Sequence, residues 1–331
     1  MAVAEVDAEV AGAPHVAALR RLGGWLARAG ALIAVIVVFG ALKPDVFLTS
    51  DNATVVLSQT AVSALLAAGL SMSLMAGAFD LSFGAILAVT GVVGAKLLTS
   101  GLPWPIAVVI AVAMAGAIGA VNGLVVVRTH VPSLVATLGM QSVLVGIVAW
   151  MVGGAYVSLG PSAFVDFGRG AAILGIPNQT VVAAIVCVAG ALAMRYLTIG
   201  RNLQAVGANP EASRLAGINV DGYVAGALAL TGAFAGLAAM LVTAQLAAGH
   251  PEIGPGYLLP AFAAAFIGAS VGRAGTFGFL GAFYGALLLT TLTNGLVIVN
   301  APEWTQNVVT GVVLVAAVAL SRALRARAAK G

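Results

Sequence analysis

Residues 75–87 read MAGAFDLSFGAIL. Two apolar runs meet here, at 54–76 and 82–99, and Asp80 stands between them with Gly77 and Gly84 on either side. A carboxylate at the centre of a helix in hydrocarbon costs roughly 2.5–3.5 kcal/mol on insertion scales. One continuous helix would bear that cost. Gly77, Ser82 and Gly84 instead lower helix stability around Asp80, so the stretch predicts two helices joined by a break. Asp80 then has two placements. It caps the second helix in a turn at the inner surface, or it lies at a broken helix that lines a cavity. The two are compatible, because a cap near the inner mouth also shapes a gate. Gly77, Asp80, Ser82, Phe83 and Gly84 are the candidates for a helix break or gate.

The rest of the chain says what surrounds that break. It has 331 residues, 61% hydrophobic and 8% charged, with a mean hydropathy of +1.09. Soluble domains carry about 25% charged residues. So few charges cannot cover a soluble fold, and the sequence reads as an all-α polytopic membrane protein. A spanning helix takes about 20 mainly apolar residues. About ten stretches qualify: 25–42, 54–76, 82–99, 104–127, 132–153, 179–197, 222–244, 257–271, 277–299 and 304–321. The third and eighth are short. Turn chemistry separates the stretches, as in SGLPWP at 100–105, RTHVP at 128–132, GHPEIGPG at 249–256 and NAPEW at 300–304.

Orientation follows from Lys and Arg, which concentrate on the cytosolic side. With both termini in the cytosol, only Lys43, Lys96 and Arg169 of the 15 basic residues fall outside. Residues 1–24 then form a cytosolic tail, too long and polar ahead of the first apolar run for a secretory signal. Residues 25–321 form the membrane domain, and 322–331 form a basic cytosolic tail. Segment 154–178 lies at the outer surface, as a helix or re-entrant piece, and 198–222 is a cytosolic loop. The net charge of +4 reflects this topology and not a nucleic-acid partner; membrane lipid is the expected surrounding.

Several chemistries are excluded. Cys187 is the single cysteine, so no disulfide or cysteine metal cluster forms. His15, His130 and His250 have no ligand spacing. No GxxxxGK[ST], HExxH or GxSxG occurs, so the chain has no P-loop and no recognisable enzyme site.

The cytosolic loop contains ANPEASRLAGI, 208–218. Asn209 is a good N-cap, Pro210 suits the first helical position, Glu211 suits the positive end of the dipole, and Gly217 suits the stop. The spacing predicts a helix of about two turns, too short to stand alone in water. It packs on the membrane domain, or it docks elsewhere through Ala212, Leu215 and Ala216. Within the spans, Ser133, Thr137 and Gln141 share one face, Thr290 and Asn294 form an i, i+4 pair, and Asn122 sits in the fourth span. Neutral hydroxyls and amides suit an uncharged polar solute, or serve as glue between helices. Gly119/Gly123, Gly232/Gly236 and Gly281/Gly285 have the spacing that lets helices approach closely.

Four segments together resemble one family. GAFDLSFGAILAVTG is similar to the GIDLSVG-type motif of bacterial ABC-transporter permeases of the ribose/xylose/galactose class. So are NGLVVVRTHVPSLVATLGMQSVLVGIVAWMVGG (122–154), GRNLQAVGANPEASRLAGINV (200–220) and GRAGTFGFLGAFYGALLLTTLTNGLVIV (272–299) to their counterparts. Gly77-Ala78 stands where the family commonly has two glycines, and IGASVGRAG at 267–275 is shorter than usual. The intact Asp80-Leu81-Ser82 favours carbohydrate over amino acid or nucleoside. The resemblance implies a transport subunit, not an enzyme, in the bacterial inner membrane. It implies a homodimer, cytosolic ABC ATPase subunits that bind the ATP and Mg, and an extracytoplasmic sugar-binding protein. Gly207, Asn209, Pro210, Glu211, Ala212, Arg214, Leu215 and Gly217 match the ATPase-coupling helix. Asn122, Ser133, Thr137, Gln141, Thr290 and Asn294 are the candidates for the translocation pathway. The other reading is an ion-coupled secondary transporter, for which Asp80 is the one candidate ion site.

Overall fold

The structure is a computed structural model that describes residues 30–173, 175–271 and 276–328. The expected tail 1–24, the basic residues Arg20, Arg21, Arg28, Arg273 and Lys330, and part of IGASVGRAG lie outside the described residues. Among the described residues, seven helices are long and apolar enough to cross a membrane. They are α3 (Ser50–Met75), α5 (Trp104–Thr129), α6 (Ser133–Val152), α8 (Asn178–Tyr196), α11 (Val220–Leu246), α13 (Phe279–Ile298) and α14 (Glu303–Ala328, spanning to Ser321). Three more helices fall on expected stretches: α1 (Gly30–Leu42), α4 (Phe83–Thr99) and α12 (Gly254–Val271), the last with Pro260 inside it. A four-residue helix, α2 (Pro44–Phe47), joins α1 to α3. The basic stretch expected as a tail after 321 is helical as far as Ala328.

Helix α3 runs through the centre of the bundle. Leu65, Leu66, Leu70 and Met72 on it are closed off from solvent and belong to one apolar core with Phe83, Ile86 and Leu87 of α4. At the periphery α6 turns Val135, Val143, Val145 and Trp150 outward. Apolar side chains on that face suit hydrocarbon as their solvent.

The three glycine pairs all fall at helix contacts. Gly119 and Gly123 of α5 abut the backbone of Leu228, Ala229 and Ala225 on α11, while Gly232 and Gly236 of α11 abut Ala115 and Val112 on α5. A side chain at Gly119 or Gly232 would meet a backbone carbonyl of the other helix. Gly281 and Gly285 of α13 meet Gly268 and Ala264 of α12 in the same way. Between helices in lipid, close backbone approach supplies the van der Waals contact that hydrophobic exclusion supplies in water.

The connections carry more structure than their sequence suggests. In 154–178 the expected helix is α7 (Ala163–Arg169), capped by the Ser162 hydroxyl, which accepts from the Val165 N–H at 3.4 Å. Around it are β1 (Val157–Ser158), β2 (Ala171–Ile173) and β3 (Ile176–Pro177), with β2 and β3 paired antiparallel. Strand β1 pairs antiparallel with β4 (Ala248–Gly249), Val157 opposite Gly249. The turn after β4 runs back beside α4, with Gly249 against Gly91 and Gly254 against Gly84. The loop 198–222 folds into two helices, α9 (Thr198–Ala208) and α10 (Pro210–Leu215). Helix α9 was not foreseen; it buries Gly200, Leu203 and Val206 on one face.

Candidate functional site

Helix α3 ends at Met75, one turn before Asp80. Gly77 has φ +78°, a conformation that carries no Cβ penalty only in glycine. The Gly77 N–H donates to the Leu74 carbonyl at 3.2 Å and the Ala78 N–H to the Ser73 carbonyl at 2.9 Å, which closes the helix end. The N-cap of α4 is Ser82, and its side chain does not bond the helix N–H groups. Asp80 lies two residues earlier and is fully buried. Its Oδ1 accepts from the Ser82 N–H at 2.8 Å and from the Ser82 hydroxyl at 2.6 Å. The Ser82 proton goes to Asp80, so the Ser82 oxygen accepts from Asn122 Nδ2 at 2.7 Å. Asp80 Oδ2 is buried with no hydrogen-bond partner among the described residues. Asp80 therefore shapes the turn ahead of the cap and is not itself the cap.

Helix α6 supplies what the broken backbone lacks. Ser133 Oγ accepts from the Phe79 N–H at 2.9 Å, and Thr137 Oγ1 accepts from the Leu81 N–H at 3.1 Å. Irregular backbone inside a bundle must find such partners, since lipid offers none. The Phe83 ring packs on Phe262 at 5.9 Å between centroids. Gly207 of α9 sits so close to the Met75 carbonyl that any side chain there would collide with it. The break is thus held by α5, α6 and α9 together.

A separate cavity of about 280 Å³ opens between α3, α12, α13 and α14. Gln59 and Ser63 enter from α3, Tyr257 from α12, and Thr290 and Thr293 from α13. Gln306, Asn307 and Thr310 enter from α14. Gln59 and Ser63 lie about 24 and 18 Å along α3 from its end at the break, at 1.5 Å per residue. No charged side chain lines the cavity. The neutral polar set expected from sequence is therefore divided. Thr290 lines the cavity, and Asn294, one turn on, keeps a buried Oδ1 without a partner among the described residues. Ser133, Thr137 and Asn122 are at the break, and Gln141 is half-buried outside the cavity lining. Sequence reasoning passed over Gln59, Ser63, Tyr257, Thr293 and the α14 group. The cluster T-Q-N-x-x-T at 305–310 was a visible signal.

The third feature is α10. Asn209 Oδ1 caps it by accepting from the Ala212 N–H at 3.0 Å. Gly217, at φ +79°, ends it, with the Ile218 N–H donating to the Ser213 carbonyl at 3.0 Å. Only Ser213 is buried; Glu211, Ala212, Arg214 and Ala216 are exposed, and Leu215 is 92% exposed. Arg214 pairs with Asp221 at 2.7 Å on the surface, a geometry worth about 0–1 kcal/mol. The apolar side of the helix is thus not packed on the membrane domain.

A bundle of long apolar helices with a broken helix at its core and an uncharged polar cavity fits an integral-membrane transport subunit. Residues 52–318 match the family described as branched-chain amino acid transport system / permease component. The chain belongs to this family of ABC importer permeases; it is a transport component and not an ATPase. It is 34% identical to the ribose import permease protein RbsC of Escherichia coli K12 over 301 residues, covering 89% of this chain and 93% of that one. It is 34% identical to the D-allose transport system permease protein AlsC of the same organism over 296 residues, 88% and 89% of the two chains. Identity to the autoinducer 2 import system permease protein LsrC of Enterobacter sp. 638 is 28% over 298 residues, 89% and 86%. No solved structure matches the chain. The ion-coupled carrier reading is set aside by this membership.

Proposed function

We propose that two copies of this chain form the membrane path of an importer for a monosaccharide or a similar small uncharged solute. An extracytoplasmic binding protein delivers the solute, and cytosolic ATPase subunits, which carry the ATP and Mg, drive the change of access. Ten spans with both termini in the cytosol fit the distribution of Lys and Arg. Residues 209–217, with Gly207 behind them, are the ATPase-coupling element. Gly77, Asp80, Ser82, Phe83 and Gly84 form the bend that opens and closes, steadied by Asn122, Ser133 and Thr137. The solute passes along the side that carries Thr290 and Asn294, and Gln141 of α6 contributes to the path.

The observation that carries this reading is α10, a capped helix of six residues whose Leu215 is 92% exposed. A helix this short does not persist in water unless something packs on it. The test is purification of the tagged chain from its host in mild detergent. A P-loop ATPase is expected in stoichiometric amount. Leu215→Asp places a charge on the docking face, and Gly217→Val forces a β-branched residue into the left-handed region, at a cost of about 1–2 kcal/mol. Both are expected to lose the ATPase while membrane levels stay normal. Normal uptake and normal co-purification in both variants would end the coupling role of 209–217.

A further inference from the structure

We infer that the cavity between α3, α12, α13 and α14 is a recognition site, within the permease itself, for one uncharged polyhydroxy molecule of monosaccharide size. The inference rests on the transport reading above and assigns it a place where the solute is read.

Most hydroxyls in these helices are bonded back to their own backbone. Thr60 donates to the Val56 carbonyl at 2.7 Å, Ser71 to Ala67 at 2.7 Å, and Thr291 to Leu287 at 2.7 Å. Thr293, on the cavity, does the same toward the Leu289 carbonyl at 3.0 Å, but other side chains there do not. Gln59, Ser63, Gln306 and Asn307 make no hydrogen bond to another protein group among the described residues. Gln59 and Asn307 are exposed and Ser63 and Gln306 half-buried, so their polar groups are open to water or to a ligand that replaces it. Each carboxamide offers both donors and acceptors, and so does each sugar hydroxyl, so the two sets match without a fixed charge. One wall is apolar: Pro260, Ala286, Leu289 and the Tyr257 ring present carbon to the C–H face of such a molecule. The volume, about 280 Å³, is at the lower end of small-molecule pockets, roughly 300 Å³. Glu303 stands three and four residues before Gln306 and Asn307, on the same side of α14. Its carboxylate, outside the cavity lining, adds negative potential that disfavours anions.

The experiment uses the permease with its ATPase in nanodiscs, without binding protein, and measures equilibrium binding of tritiated D-ribose. Saturable binding in the millimolar range is expected. Unlabelled D-allose should displace the label, while D-ribonate and D-glucosamine, which carry a negative and a positive charge, should not. The double variant Gln306→Leu, Asn307→Leu should bind about tenfold more weakly, and Gln306→Asn should keep most of the affinity. Absence of saturable binding by the wild-type complex would mean a water-filled vestibule and would overturn the site while leaving the transport reading intact. Equal binding by the leucine variant, or displacement by the charged sugars at the same concentration as by D-allose, would overturn it as well. A chain that assembles with no ATPase would overturn the transport reading and the site together.

Discussion

Asp80 holds the break in shape through one oxygen. Oδ1 takes both the N–H and the hydroxyl of Ser82, and Asn122 completes the chain from α5. This predicts a difference between two substitutions. Asp80→Asn keeps an acceptor at the same place and should retain most uptake. Asp80→Ala leaves buried donors of Ser82 without their acceptor, at about 1–3 kcal/mol. Its purified protein should unfold at lower temperature, and uptake should fall. A carrier that moved protons on this carboxylate would show the opposite sign for Asn, with uptake abolished. Comparing uptake and melting temperature of the two variants separates these outcomes.

At the scale of elements, the close crossing of α5 and α11 and the contact of α9 with the break are the two joints that matter. The first depends on Gly119, Gly123, Gly232 and Gly236, where helix backbones touch. Gly232→Leu should therefore abolish folded protein in the membrane. Gly139→Leu, on α6 where nothing lies within reach of an added Cβ, should accumulate normally. Fluorescence-detected size-exclusion of tagged variants reads both. The second joint is Gly207 on the Met75 carbonyl. It sets α9 directly against the end of α3. Only Asn209 separates α9 from α10, so no long loop lies between the exposed helix and the break.

For the whole molecule, orientation is the property most open to a direct test. Cys187 is the only cysteine, and it is buried, so single introduced thiols report without background. Thr99→Cys at the end of α4 and Glu211→Cys on α10 should react with a membrane-impermeant maleimide from opposite sides. Thr99→Cys should label in intact cells, and Glu211→Cys only after the membrane is opened. Labelling of Glu211→Cys in intact cells, with Thr99→Cys labelled only after opening, would reverse the topology read from the basic residues. The same scale explains why the cavity eluded the sequence. Gln59, Tyr257, Thr290 and Gln306 are separated by up to 247 positions along the chain. Each is an ordinary polar residue on an apolar helix, and no periodicity links them.

Some properties needed only the chain itself. Low charge and long apolar runs require a membrane, because no water-facing surface can be built from them. Gly77 and Asp80 require a break, and Asn209, Pro210 and Gly217 set the limits of α10, because capping is local chemistry. The three glycine pairs marked close contacts by their spacing, though not which helices would meet. The tertiary structure decided which groups share a site. It set Ser133 and Thr137 of α6 against the backbone of the break, and it brought four distant helices around one uncharged cavity. The physical reason is the range of the interactions. Caps and helix stops act within about one turn, whereas hydrogen bonds between spans depend on which helices the packing of small residues places side by side.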